Sequence, residues 1–292
     1  MTAERTRAVS DSSPATHPNR QSRSTVITFL GAVVRPLGSW MPIAGTVELL
    51  TQAGLDAPSV RTAVHRLKGN GWLASEVRDG ARGYALTTAA LDTLAAGDEV
   101  IWHARTPADL ADGWCIVHFG VPETMRAKRQ QLRAHLSSLG FGNVGTALWI
   151  APARMRAAAE RAVAELGLEA HTAVFVGAYH GTQDLTRLLY GSWDLAAIDE
   201  AYREFVATYE PVVAAAERRQ PDQASAFVTY LQALDQWRKL PYKDPGLPAE
   251  VLASNWHGPQ ATAVFERLVS ALERPALVHA RTHWPALGTT PE

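Results

Sequence analysis

Between Ser24 and Thr87 three helical patterns run directly into two short alternating strands, and this order narrows the fold more than any other feature of the chain. In the first pattern Val26, Ile27, Leu30, Val33 and Val34 recur at spacings of three and four, and Pro36 ends the run. The second covers about Pro42 to Ala53, with Val47, Leu49 and Leu50 apolar and Gly54 placed as a C-terminal cap. The third runs from Val60 to Lys68, with Asp56 or Ser59 available as N-cap, and ends at Gly69-Asn70-Gly71. Strands then follow at about Trp72–Val77 and Gly83–Thr87, around a turn at Arg78–Arg82. This is the order of a winged helix-turn-helix, expected over residues 24–95.

On the third helix Val60, Ala63, Val64 and Leu67 fall on one side, while Arg61, Thr62 and His65 fall on the other, flanked by Arg66 and Lys68. A helix that enters the major groove of DNA needs such a dry back and a front of hydrogen-bond donors. Arg61, Thr62 and His65 are thus candidates for base reading, with Ser59, Arg66, Lys68, Arg78 and Arg82 placed for phosphates and a wing contact. The plain alternative is a solvated surface; the helix before and the hairpin after favour the DNA reading. From Ser24 to Thr87 six Lys/Arg face four acids. So small a surplus calls for a homodimer presenting two copies to double-stranded DNA.

Beyond a helix at about Leu91–His103, read as a linker, the pattern changes. Strand-like runs at 114–121, 144–150 (a strand or strand pair) and 172–179 alternate with helical runs at 123–139 and 152–166. This βαββαβ order predicts a ferredoxin-like domain within 96–182. Residues 183–275 read as a helical domain, with helices at about 194–219, 222–240 and 260–272 and a Pro-rich crossing at 241–248. Residues 1–23, rich in Ser, Thr, Pro and Arg, read as a disordered tail, and 276–292 as a second tail. The fold class is α+β.

With 47% hydrophobic and 20% charged residues the chain is globular. Its 28 Lys and Arg nearly cancel its 29 Asp and Glu, so any affinity for nucleic acid must be local. The single Cys, Cys115, excludes an internal disulfide and Cys-rich metal sites. With no bilayer-spanning run and no secretory signal, a cytoplasmic location is expected.

Enzyme-like signals are thin. Gly140-Phe141-Gly142-Asn143-Val144-Gly145 satisfies GxGxxG but follows a helix and precedes a strand, the reverse of the order that cradles a pyrophosphate. His279 and His283 lack a third metal ligand, so no metal and no cofactor are expected. Cys115 alternates with Val117 and Phe119 and reads as a buried thiol, and no GxSxG elbow occurs. The strand closing at His118-Phe119-Gly120-Val121 carries no carboxylate for a nuclease metal.

The residues closely resemble the PaaX family, the repressors of phenylacetic acid catabolism. Ser59-Val60-Arg61-Thr62-Ala63-Val64-His65-Arg66-Leu67, Gly71-Trp72-Leu73, Tyr84-Ala85-Leu86-Thr87, Trp149-Ile150-Ala151-Pro152, Trp193-Asp194-Leu195, Tyr202-Arg203-Glu204-Phe205 and Trp237-Arg238-Lys239-Leu240-Pro241 stand in family order between about Ser24 and Leu272. The resemblance implies a winged-helix head, a central domain similar to Cas2 proteins, a helical C-terminal domain, and a homodimeric repressor released by an aryl-acetyl-CoA or other acyl-CoA effector. The head departs from the family at Arg35-Pro36-Leu37-Gly38, which lacks a double Gly, and in a wing with one Arg where members often have two. An effector site would need an apolar slot and cations for the CoA phosphates. Trp193, Tyr202, Phe205, Trp237, Tyr242 and Trp256, with Arg187, Arg203, Arg238 and Lys239 near the mouth, are the candidates; the bland reading makes them core and surface. The alternative functions are an acyl-CoA-processing enzyme, a Cas2-like nuclease, or a scaffold that pairs without regulating genes.

Overall fold

The computed structural model describes residues 18–101 and 106–285. These divide into two units, one holding 18–87 together with 283–285 and the other 88–282. In the first unit helix α1 (Pro18–Phe29) continues into a π-helical turn over Leu30–Val34, where the Arg35 N–H reaches back to the Leu30 carbonyl. Residues 18–23, expected in a disordered tail, are therefore helical; 1–17 lie outside the described residues. Helix α2 (Ile43–Gln52) and helix α3 (Ala57–Gly69) follow, joined by the four residues 53–56. Val26, Phe29, Leu30, Leu49, Leu50, Val60, Val64 and Leu67 are buried where the three helices meet.

A three-stranded antiparallel sheet closes this unit, in the order β1 (Trp40–Pro42), β3 (Ala81–Leu86), β2 (Leu73–Arg78). Strand β1 is invisible to a period-two reading because all three of its residues are buried. The hairpin turn is tighter than the five residues expected: Arg78 pairs with Ala81, and only Asp79 and Gly80 bridge them, both with positive φ. That is the two-residue geometry whose twist matches the strands. Gly83 is required for another reason, since a Cβ there would collide with the Met41 carbonyl and the Trp40 ring.

The C-terminus supplies a missing piece of this unit. Residues 276–281, expected in a tail, continue a long helix of the second unit, and Trp284 is then buried among the residues of the first. Its indole N–H donates to the Trp40 carbonyl at 2.9 Å. The His283 carbonyl lies so close to Gly45 that no side chain fits there, and His283 Nε2 is 3.6 Å from Glu48. Residues 286–292 lie outside the described residues.

The second unit begins with helix α4 (Thr88–Ile101), which moves the boundary expected after residue 95 back to Thr87; the last residues of the expected linker helix, 102–103, are outside the described set. Strands β4 (Trp114–Phe119), β5 (Gly142–Asn143), β6 (Leu148–Pro152) and β7 (Thr172–Gly177) form one antiparallel sheet in the order β5-β6-β4-β7. Helices α5 (Arg126–Ser138) and α6 (Arg156–Glu165) cover one face of it. Alternation along β4 assigns Cys115, Val117 and Phe119 to that face, and Trp114 and Ile116 to the other.

The second face packs against the helical region, through Leu189 of helix α7 (Leu185–Ser192), Leu195 of helix α8 (Leu195–Arg218), Leu247 and Val251. Helices α8, α9 (Gln223–Trp237) and α10 (Gly258–Arg281) share an aromatic core in which Trp237 stacks on Phe265 with centroids 4.4 Å apart. Asp184, Asp194 and Asp222 each accept a backbone N–H at the start of α7, α8 and α9, so the capping rule sets all three helix origins.

Burial decides the chemistry of Cys115. Desolvation pushes its thiol up to about 11, so almost none is thiolate at neutral pH. Native protein treated with N-ethylmaleimide at pH 7.5 is expected to remain unmodified, and to take up one equivalent only after denaturation. Mass spectrometry reads both results.

Candidate functional site

Helix α3 is the element on which the candidate residues converge. Asp56 caps it, accepting the Ser59 N–H at 2.8 Å, with Pro58 in the first turn. The bonds from the Ser59 side chain and backbone hold the Asp56 carboxyl below the usual carboxylate range. Ser59, expected to touch phosphate, thus serves the cap and is half-buried. Since the cap depends on ionised Asp56, its contribution is present above the ordinary carboxylate range and is lost as pH falls through the lowered folded value.

Beyond the cap the helix divides cleanly. Val60, Ala63, Val64 and Leu67 are buried, while Arg61, Thr62, His65, Arg66 and Lys68 are exposed. Among the described residues the side chains of Arg61, Thr62, His65 and Lys68 make no hydrogen bond or ion pair, so their donors remain available. On the hairpin Arg82 stands opposite Val77, and both are exposed.

Arg78 differs from the other cations. Its Nε and Nη2 bond the Glu76 carboxylate at 2.6 and 3.3 Å, its Nη1 is 3.4 Å from the Gly38 carbonyl, and its guanidinium lies 5.5 Å from the Trp40 ring centroid. It therefore fastens the hairpin, with much of its charge already neutralised, and is a poorer phosphate anchor than its position in the sequence implied.

The residues expected to form an effector site do not gather into one. Tyr202 and Trp237 belong to the aromatic core: the Tyr202 hydroxyl bonds Asp244 at 3.0 Å, and the Trp237 indole donates to the Ile101 carbonyl at 2.8 Å. Trp193 seals the sheet edge. Its indole donates to the Gly140 carbonyl at 3.1 Å, and its ring fills the space a Cβ on Gly142 would need. Gly142 of the GxGxxG run thus makes room for an indole, and the reverse element order stands as observed.

Of the four expected cations, Arg203 is paired with Glu200, and Arg238 and Lys239 share the buried Asp235 at 3.3 and 2.8 Å. Arg187 and Tyr242 are exposed. What sequence reasoning missed is a cavity of about 520 Å³ between the 244–254 loop, α8 and the start of α10. Of the expected residues, Tyr202 and Trp256 line it. The one available signal was the Pro/Gly-rich segment, read as a mere crossing.

The metal reading of the two histidines does not hold together either. His279 packs on the Phe227 ring and His283 faces Gln52 and Glu48, in different units. Among the described residues there is no group of three metal-ligating side chains, and no helix long and apolar enough to cross a membrane.

Three family models match in succession: PaaX-like protein over residues 21–90, PaaX protein central Cas2-like domain over 107–189, and PaaX-like protein C-terminal domain over 193–282. The chain belongs to the PaaX family. Its similarity to the transcriptional repressor PaaX of Escherichia coli (strain K12) is 25% identity over 260 residues, covering 85% of this chain and 80% of that one. That relative is a repressor, not an enzyme. The fold also resembles uncharacterized protein Rv0674 from Mycobacterium tuberculosis, with a TM-score of 0.57 and 19% identity across 89% of this chain and 98% of the other. The PaaX model for the first region takes in all of α3 and the hairpin, and the Cas2-like model takes in the whole four-stranded sheet.

Proposed function

We propose that this PaaX family member is a cytoplasmic, homodimeric transcriptional repressor that binds operator DNA through a winged helix-turn-helix and is released by an acyl-CoA thioester. The observation that carries the reading is the division of α3, whose back is buried while Arg61, Thr62 and His65 stand exposed and uncommitted on its front. The helix α2, turn, helix α3 and hairpin sequence supports the winged-helix reading, with Arg61, Thr62 and His65 on base edges and Arg66, Lys68 and Arg82 on phosphates. Arg78 contributes by fixing the wing. In the second unit the strand order supports a ferredoxin-like domain, because the two central strands are the first and third of the βαββαβ series.

A two-fold dimer would place two copies of α3 on successive major grooves, and an effector that favours another dimer geometry would break that match. The experiment is a mobility shift of the intergenic DNA beside the gene, with a panel of acyl-CoA thioesters titrated into the complex. A shift at low salt that one thioester reverses is expected. Failure to shift the DNA would sink the reading, and turnover of the thioester would favour the enzyme reading.

A further inference from the structure

The cavity beside the Tyr202–Asp244 hydrogen bond has a chemistry of its own. Pro107, Leu247, Leu252, Trp256 and Pro259 give it apolar walls, and about 520 Å³ lies within the ~300–1,000 Å³ typical of ligand pockets. Among the described residues no Lys or Arg lines it, although Arg154 donates to the Gly246 carbonyl from behind the wall at 3.1 Å. Its one charged lining group, Asp244, is fully used: Oδ2 accepts from the Tyr202 hydroxyl at 3.0 Å and Oδ1 from the Gly246 N–H at 2.8 Å. Asp199 adds a second carboxylate behind the wall, gripping the His257 backbone N–H at 2.7 Å and its Nδ1 at 3.0 Å, between the two lining residues Trp256 and Gly258. An anion entering here would lose its hydration and find no positive charge lining the cavity.

Donors, by contrast, are available. The Trp256 indole N–H and the Ser254 hydroxyl make no hydrogen bond with a described residue, and both residues line the cavity. A Cβ on Gly258 would stand 2.5 Å from Trp256 Nε1, so only a glycine fits against that nitrogen. Trp256 is half-buried and Ser254 exposed, so these donors stand toward the mouth, and a few such polar groups set orientation in an otherwise apolar pocket. The geometry points to a binding site for a compact uncharged molecule with an aryl or branched-alkyl body and one carbonyl oxygen, which accepts from Trp256 Nε1. This deepens the effector reading, on which its regulatory meaning rests; only the acyl end of a thioester would enter, with the nucleotide phosphates outside.

The test is a ligand-observed NMR titration of the full chain, without DNA, with 3-phenylpropanamide, methyl 3-phenylpropanoate and the 3-phenylpropanoate anion at pH 7.5. Saturable binding of the two neutral probes is expected, with the anion at least ~10-fold weaker. Trp256→Phe, which keeps the ring and removes the donor, should weaken the amide ~5-fold or more. Ala253→Trp, at the exposed rim, should block both neutral probes while circular dichroism stays unchanged. No binding of either neutral probe, equal or tighter binding of the anion, or unchanged affinity in both variants overturns the proposal. A mobility shift with the same probes separates the two readings: binding that leaves the DNA complex intact removes the regulatory role and keeps the site, whereas release by a thioester that both variants leave undiminished removes the site and keeps the regulation.

Discussion

Arg61→Ala lowers operator affinity by ~1–3 kcal/mol for each half-site and flattens the preference at the base pair it reads. A dimer would lose the contact twice, so the drop in a mobility shift should reach ~30-fold or more, while binding to random DNA at the same salt changes far less. The reason is geometric. Arg61 projects from the exposed front of a helix whose back is fixed by Val60, Val64 and Leu67, so on the proposed reading its donors would meet base edges in one register. Arg82→Ala should behave differently, weakening all sequences alike and reducing the salt slope by about one per protomer, as expected for a phosphate contact. Equal losses on operator and random DNA for both variants would contradict these assignments.

Trp284→Ala should unfold the first unit at a markedly lower temperature, at a cost of ~3–5 kcal/mol, the usual range for deleting a large buried aromatic. Domains of this size have only ~5–15 kcal/mol in hand, so the variant approaches the limit of stability. Trp284 is 8% exposed and its N–H holds the carbonyl of Trp40, the first residue of β1, which pairs with Ala85 of β3. Trp284→Phe separates the contributions: it keeps most of the packing and should lose only the hydrogen bond, about 1 kcal/mol. Differential scanning calorimetry of the full chain should resolve an early transition in Trp284→Ala, and DNA binding should fail at that same temperature. A melting profile unchanged from the parent would show that the C-terminal residues are passengers.

Much of the fold was legible because period and capping are local. The buried stripe of α3, the Asp56 cap, the hairpin and the alternation of Cys115 with Val117 and Phe119 all follow from residues a few positions apart. Strand β1 escaped because three residues buried together carry no alternation, and the helix expected at 260–272 fell short of α10, which runs on through Pro275 to Arg281. The exposed front of α3 was legible because an exposed cation beside a buried stripe needs no distant partner to be recognised. The aromatic effector candidates were not, since whether a Trp or Tyr lines a pocket or a core depends on what folds against it, whereas the pairing of the cations lay within local reach. Arg203, Arg238 and Lys239 each found an acid three or four residues away on the same helix or just past its end.

Sequence alone determined the family, the helical stripe that would read DNA, the hairpin beside it and the alternating sheet strands, because each is written in side chains within one or two turns of each other. Tertiary structure alone decided three things: that Trp284 completes the first unit from the far end of the chain, that Arg78 is clasped by Glu76 against Trp40, and that a cavity whose described lining holds no Lys or Arg opens beside Tyr202. The first and last depend on groups far apart in sequence, brought together by the chain's path, and the second on which of several nearby partners a flexible guanidinium reaches. No local pattern encodes those distances.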